Sequence, residues 1–192
     1  MQIHWLKLLG RFKYVFLLLK KLYLLRSITL LKISLYSTQE NIIFIDIDNS
    51  IANTSNFLMQ NGKITNFEDF LKIKRLEGSY KFLKNFTDSY ALIFLTYRPL
   101  MSKKYTLQWL KNNSFWSQNS KLFLVSSPLD KIYFFNEALK KQLKVVVFDD
   151  LSYNHENGKI LYYKKIINFI KKKKIKYFDL KHIERLNNSQ QH

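Results

Sequence analysis

The chain has 192 residues, 47% of them hydrophobic and none of them cysteine, which suits one domain with an appendage and excludes disulfides and thiolate metal sites. Any metal must be held by oxygen or by the four histidines. The formal net charge of +18, from 32 basic and 14 acidic residues, invites an anionic partner, but only five of the basic residues are arginine, and scattered lysine is also the solvated default of a chain this rich in Ile, Asn and Phe.

Residues 1–40 form a first segment. "WLKLLGRFKYVFLLLKKLYLLRSITLLKISLYS" is dense in Leu, Phe and Tyr and carries no acid before Glu40. Its charge-free stretches, such as Tyr14 to Leu19, are far shorter than the about 20 apolar residues a membrane span needs. The apolar run ends at Lys20 and Lys21 without a small-residue cleavage site, unlike a secretory signal. Helical spacing puts Lys7, Arg11, Lys21 and Lys32 near one face and Lys13 and Lys20 on another. Three roles stay open. Residues 1–38 lie in an anionic membrane interface, dock on a partner, or pack on the domain that follows. The expected location is cytoplasmic, with membrane association through this segment.

From residue 41 the pattern alternates. Ile42–Ile45 is a short apolar run, as in a strand covered on both faces. Tyr80–Phe86 reads as a helix, Ala91–Leu95 as a strand, Leu100–Leu110 as a helix and Leu122–Val125 as a strand. Lys131–Leu143 reads as a helix, Val145–Phe148 as a strand, Ile160–Ile170 as a helix and Ile175–Phe178 as a fifth strand. Such alternation predicts an α/β domain over 41–182 with a doubly wound, Rossmann-like, five-stranded parallel sheet. Residues 183–192 read as a disordered tail.

Ligands of such sheets bind at the carboxyl ends of the strands. The first strand runs into Asp46 and Asp48, the second into Thr96 and then Arg98, and the fourth into Asp149 and Asp150. After the third comes "SSPLDK", with Lys131 opening the next helix. Crowded carboxylates repel unless something neutralises them, and an all-oxygen ligand set favours Mg²⁺. Asp46 and Asp48 lean the same way from an extended chain, so one can attack while the other handles a proton. Thr96 offers a hydroxyl to a phosphoryl oxygen. Arg98 suits a substrate anion or, equally, caps the turn before Pro99.

These residues resemble the haloacid dehalogenase-like hydrolase superfamily. Asp46-Ile47-Asp48-Asn49-Ser50 matches its first motif, Thr96 its second, Lys131 its third and Asp149-Asp150 its fourth, in order over roughly residues 41–180. The resemblance implies a phosphatase-type enzyme. Asp46 would be the nucleophile, forming an aspartyl-phosphate, and Asp48 the acid and base. Thr96 and Lys131 would steady the phosphoryl group, and Ser50 and Arg98 would contact substrate. Mg²⁺ would be held by Asp46, Asp48 through its carbonyl, and Asp149, with or without Asp150. Ser50 replaces the usual Thr or Val, and Asn49 stands where Gly is frequent.

Residues between the first two motifs leave room only for a small cap or none. Phe57 and Phe67 touch substrate or, the preferred reading, pack under the loop. His155 follows the fourth motif near the metal edge. The expected function is Mg²⁺-dependent hydrolysis of a phosphomonoester, on a small phosphorylated metabolite or a glycan or lipid precursor. A nucleic-acid end-processing phosphatase is the alternative, with only charge in its favour, so nucleic acid is the less favoured partner. A non-catalytic binding module of the same fold is a third.

Overall fold

The computed structural model describes residues 2–35 and 40–188. Helix α1 spans Gln2–Leu35, followed by β1 (Asn41–Ile45), α2 (Thr54–Asn61), α3 (Glu77–Lys84), β2 (Ala91–Thr96), α4 (Lys103–Asn112) and β3 (Lys121–Leu124). Then come α5 (Lys131–Lys140), β4 (Lys144–Phe148), the two-residue strands β5 (Ser152–Tyr153) and β6 (Leu161–Tyr162), α6 (Lys164–Lys172), β7 (Lys176–Phe178) and α7 (Leu180–Asn188). The expected faces of Lys7, Arg11 and Lys13, and residues 189–192 of the expected tail, lie outside the described residues.

Five strands form one sheet in the order β3-β2-β1-β4-β7, with every neighbouring pair parallel. This is the doubly wound, Rossmann-like α/β arrangement that the alternation predicts. Side chains alternate across it. Ile42 and Phe44 of β1 enter one apolar layer with Phe134 and Phe135 of α5 and Ile166 and Ile170 of α6. Ile43 and Ile45 enter the other, with Leu83 of α3, Trp109 and Leu110 of α4 and Ile183 of α7. Burial of β1 and β2 on both faces explains their unbroken apolar runs. The chain moves from β1 outward through β2 and β3, then crosses to β4 on the other side of β1. The crevice of such a sheet opens at that reversal, beyond the carboxyl ends of β1 and β4.

The last turns of α1 belong to the core. Leu31 and Leu35 are buried in the first layer, and Leu24 and Ile28 pack against it. These four recur at helical spacing on one stripe. Lys32 reaches Glu137 of α5 at 3.3 Å. Further back, Val15, Leu17, Leu18, Leu19, Leu22 and Leu25 are exposed. No described helix is long and apolar enough to cross a membrane.

Two expectations need correcting here. Residues 183–188 are not an unstructured tail, because α7 continues to Asn188 with Ile183 buried. Its Asn187 accepts bonds from the backbone N–H groups of Gly78 and Ser79 (2.9 and 3.3 Å), satisfying two orphan donors at the start of α3. A Cβ on Gly78 would stand 1.9 Å from the Leu186 carbonyl oxygen, so only glycine allows this approach. The helix expected over 160–170 starts later, at Lys164, because Leu161 and Tyr162 pair with Tyr153 and Ser152 as a small hairpin. Between β1 and α3 there is a short helix, α2, and a single 3-10 stretch over Phe67–Lys72 rather than a cap domain, and Phe57 and Phe67 pack against the second apolar layer.

Candidate active site

Asp46 extends β1 by one residue, its N–H donating to the Phe148 carbonyl of β4 at 2.9 Å. That bond fixes the carboxylate at the sheet edge, where it is 8% exposed. The turn that follows passes through Asn49 at φ 56°, a left-handed conformation Asn tolerates better than most residues. The Asn49 side chain accepts from the Ser55 N–H at 2.8 Å and so ties the turn to the start of α2. Lys131 is delivered by the first turn of α5, behind a capping box between Ser127 and Asp130. Asp149 and Asp150 leave the end of β4, and Leu151 after them adopts φ 45°, a strained conformation for Leu. The Leu151 N–H donates to Asp149 Oδ1 at 2.9 Å.

Three carboxylates, of Asp46, Asp149 and Asp150, present oxygens within 4.8 Å of one another, and all three residues are buried. One ammonium answers them. Lys131 Nζ donates to Asp149 Oδ2 at 2.7 Å and lies 3.0 Å from Asp46 Oδ1. Asp46 Oδ1 has this ammonium beside it as an ion pair and no other partner. Thr96 Oγ1, fully buried at the end of β2, has no partner. A buried hydroxyl is rarely left so.

Burial drives the titration of this cluster. It pushes the Asp46 carboxyl up to about 7; Lys131 pulls it down, and Asp149 and Asp48 push it further up. Burial also raises Asp149 against the pull of Lys131, and raises Asp150 against its bond from His155. For Lys131, burial favours the neutral amine, but Asp149 and Asp46 outweigh it and hold the charge firmly. A buried oxygen-only trio with excess negative charge fits a hard divalent cation, whose ligands at about 2.1 Å are themselves close together.

Asp48 stands apart from this trio. Arg98 grips it through Nε to Oδ2 (2.8 Å) and Nη2 to Oδ1 (2.6 Å), and Thr54 Oγ1 donates to Oδ1 at 2.6 Å. Burial alone would raise the Asp48 carboxyl, but Arg98 and Thr54 together hold it below its usual value. Arg98 is therefore placed otherwise than the sequence suggested. It is 3% exposed, lies 4.2 Å over the Phe70 ring, and gives its remaining nitrogen to Thr106 Oγ1 at 3.3 Å. Its fork is spent on Asp48, not offered to a substrate anion. Ser50 is likewise a correction. It is fully buried, accepts from the Asp150 N–H at 3.0 Å and donates to Asp150 Oδ1 at 3.3 Å, so it orients Asp150 and cannot meet substrate.

A cavity of about 400 Å³ opens over Asp46, Asp48, Thr96, Lys131, Asp149 and Asp150. Residues from four separate stretches thus meet at one opening. Others there carried no sequence signal. Thr54 reaches Asp48, Tyr163 lines the rim, and Ser152 donates to Asp150 Oδ2 beside His155 Nε2 at 3.2 Å. His155 lines the cavity but is engaged with Asp150 and Ser152. A parallel sheet carrying an aspartate cluster at this edge is consistent with a haloacid dehalogenase-like fold. Searches of family models, curated proteins and solved structures find nothing that matches the chain.

Proposed function

We propose that the protein is a Mg²⁺-dependent phosphomonoesterase of the haloacid dehalogenase-like type. The observation that carries this reading is the buried Asp46–Asp149–Asp150 trio, answered by one lysine, beside an unpartnered Thr96 hydroxyl. When bound, a divalent cation there would neutralise carboxylates and phosphate oxygens, letting one anion approach another. Asp46, Asp149 and Asp150 are the residues to hold it.

The remaining chemistry falls to the chain. An Asp46 oxygen bonds to phosphorus while the bond from phosphorus to the leaving oxygen breaks, and that oxygen takes a proton from solvent water. Water then attacks phosphorus, gives up a proton, and displaces Asp46, releasing phosphate. Thr96 Oγ1 donates to a phosphoryl oxygen, and Lys131 holds Asp46 and Asp149 in place while offsetting negative charge. Asp48 is poised differently from a general acid. Arg98 keeps it ionised, which suits the water-activating step and disfavours the protonating one.

Turnover of p-nitrophenyl phosphate tests this reading. Wild type with Mg²⁺ is expected to exceed both the EDTA-treated enzyme and Asp46→Asn by about 10³-fold or more. Equal rates in all of these would leave the non-catalytic binding module. Preference for phosphorylated oligonucleotides over sugar and alkyl phosphates would favour the nucleic-acid alternative.

Helix α1 supports a peripheral membrane partner for the enzyme. Leu17, Leu18, Leu19, Leu22 and Leu25 are exposed beside Lys21 and Arg26, and the segment has no acid before Glu40. Basic, leucine-rich helices of this kind lie in anionic interfaces. Flotation with anionic but not neutral vesicles is expected, and its loss on replacing Leu18 and Leu22 by Glu. Equal recovery with both vesicle types at the bottom of the gradient would refute the membrane role.

A further inference from the structure

A second cavity, of about 670 Å³, adjoins the polar one. Its apolar walls are Leu19 of α1 on one side and Tyr97, Pro99, Leu100, Met101 and Val125 on the other, with Lys20, Arg98 and Ser126 completing the lining. Tyr97 lines both cavities, and it directly follows Thr96, whose unpartnered hydroxyl faces the candidate phosphoryl site. Leu100, Met101 and Leu19 are exposed, Met101 to 79%. Large apolar side chains gathered around an open groove need something to cover them. The polar cavity holds the carboxylates and the ammonium, with Leu58, Pro128 and Leu151 among its apolar lining.

We infer that the substrate is an amphiphilic phosphomonoester, its phosphate over Asp46 and its alkyl chain in the groove between α1 and the loop after β2. The inference rests on the phosphohydrolase reading and adds the class of alcohol released. Continuity through Tyr97 is what selects this occupant. A ligand whose head is held by Thr96 and Lys131 passes Tyr97 on its way out and meets Leu100 and Val125 next. Clefts of this size and character bury most of a mid-sized apolar ligand. The groove also explains a use for α1, which supplies a wall as well as packing on α5. Exposed leucines on the same helix place the groove beside the surface through which an alkyl chain would arrive.

Chain-length dependence tests the inference. Titration calorimetry with Mg²⁺ compares methylphosphonate with n-octylphosphonate, the latter below its micelle concentration. Full burial of one methylene is worth about fourfold in affinity, so partial burial of the octyl chain predicts a gain of about 30-fold or more. Met101→Glu and Leu100→Asn are each expected to cut that gain below about threefold and to leave methylphosphonate affinity unchanged. Met101 is too exposed for its replacement to unfold the protein, and circular dichroism checks both variants. Equal affinity for the two phosphonates overturns the inference. So does a length dependence that survives both substitutions, since the chain would then bind elsewhere, for example on the outer face of α1. In the turnover arm, kcat/KM for n-octyl phosphate is expected to exceed that for ethyl phosphate by about tenfold. Loss of p-nitrophenyl phosphate hydrolysis with the binding difference intact would sink the hydrolase reading and leave the groove as a site for amphiphilic anions.

Discussion

The two halves of the polar cavity are charged by different rules. On the β2 side one arginine meets one aspartate, with both oxygens of Asp48 taken by Arg98 and a third bond from Thr54. On the β4 side one lysine meets two of three clustered carboxylates, Asp46 and Asp149, while the third, Asp150, is held by Ser50, Ser152 and His155. The matched half is complete without any ligand. The unmatched half gathers three buried carboxylates around one ammonium, a set that could hold a divalent cation. Two aspartates separated by a single residue, Asp46 and Asp48, therefore titrate in opposite directions, one pushed up to about 7 and the other held down.

Removing the single cation of the unmatched half breaks the contrast hardest. Lys131→Met leaves Asp46, Asp149 and Asp150 facing one another without any ammonium. Deleting one partner of a buried ion pair costs about 3–5 kcal/mol, because the other charge stays buried. That loss should be visible in urea unfolding at pH 8 without metal, and saturating Mg²⁺ should recover much of it. A variant as stable as wild type in metal-free buffer would mean that the trio does not carry the charge assigned to it.

Arg98 sharpens the comparison from the other side. Arg98→Met frees Asp48 from the bonds that keep it ionised, so its carboxyl rises and becomes able to protonate a leaving oxygen. The variant loses stability, so the useful quantity is a ratio of rates on two substrates, which is independent of the folded fraction. Relative to p-nitrophenyl phosphate, whose leaving group needs no proton, turnover of a simple alkyl phosphate should rise by about tenfold. An unchanged ratio would show that Asp48 takes no part in leaving-group protonation.

What the sequence disclosed follows from range. The strand-end positions of Asp46, Thr96 and Asp149, and the helix start at Lys131, are each set by the run of residues next to them. The strands β1 to β4 likewise announce themselves as short apolar runs. The pairings that decide chemistry are not local. Arg98 lies 50 positions from Asp48, and Ser50 lies 100 from Asp150, so no spacing rule links them. Arg98 in particular offers the same guanidinium whether it meets a substrate or a neighbour. The α7 helix was hidden for a similar reason. Its polar stretch ends in "NNSQQH", and what orders Asn187 is the backbone of Gly78 and Ser79 more than a hundred residues earlier. The hairpin of β5 and β6 has two residues per strand, too few for any alternation to register.

The smallest expected effect concerns pH. A carboxyl raised by burial still binds its proton in the folded protein where the unfolded chain has released it, so stability falls as pH rises from about 4 to about 7. Asp149 and Asp150, also raised, add to that slope. Asp48, held low, contributes stability above the ordinary carboxylate range and loses it only in stronger acid, below this window. Half-buried His182 works the other way, because its lowered pKa makes the folded protein resist protonation below about 6.5. The difference between wild type and Asp46→Asn therefore isolates the trio. Without metal, wild type should lose about 5 °C more in Tm than Asp46→Asn between pH 5.5 and pH 8. Mg²⁺ should reverse the order at pH 8, since a cation replaces the protons that the cluster gives up, and should do little at pH 5.5, where it competes with them. Parallel Tm profiles for the two proteins, with and without Mg²⁺, would mean that Asp46 is neither burdened by its burial nor relieved by a cation.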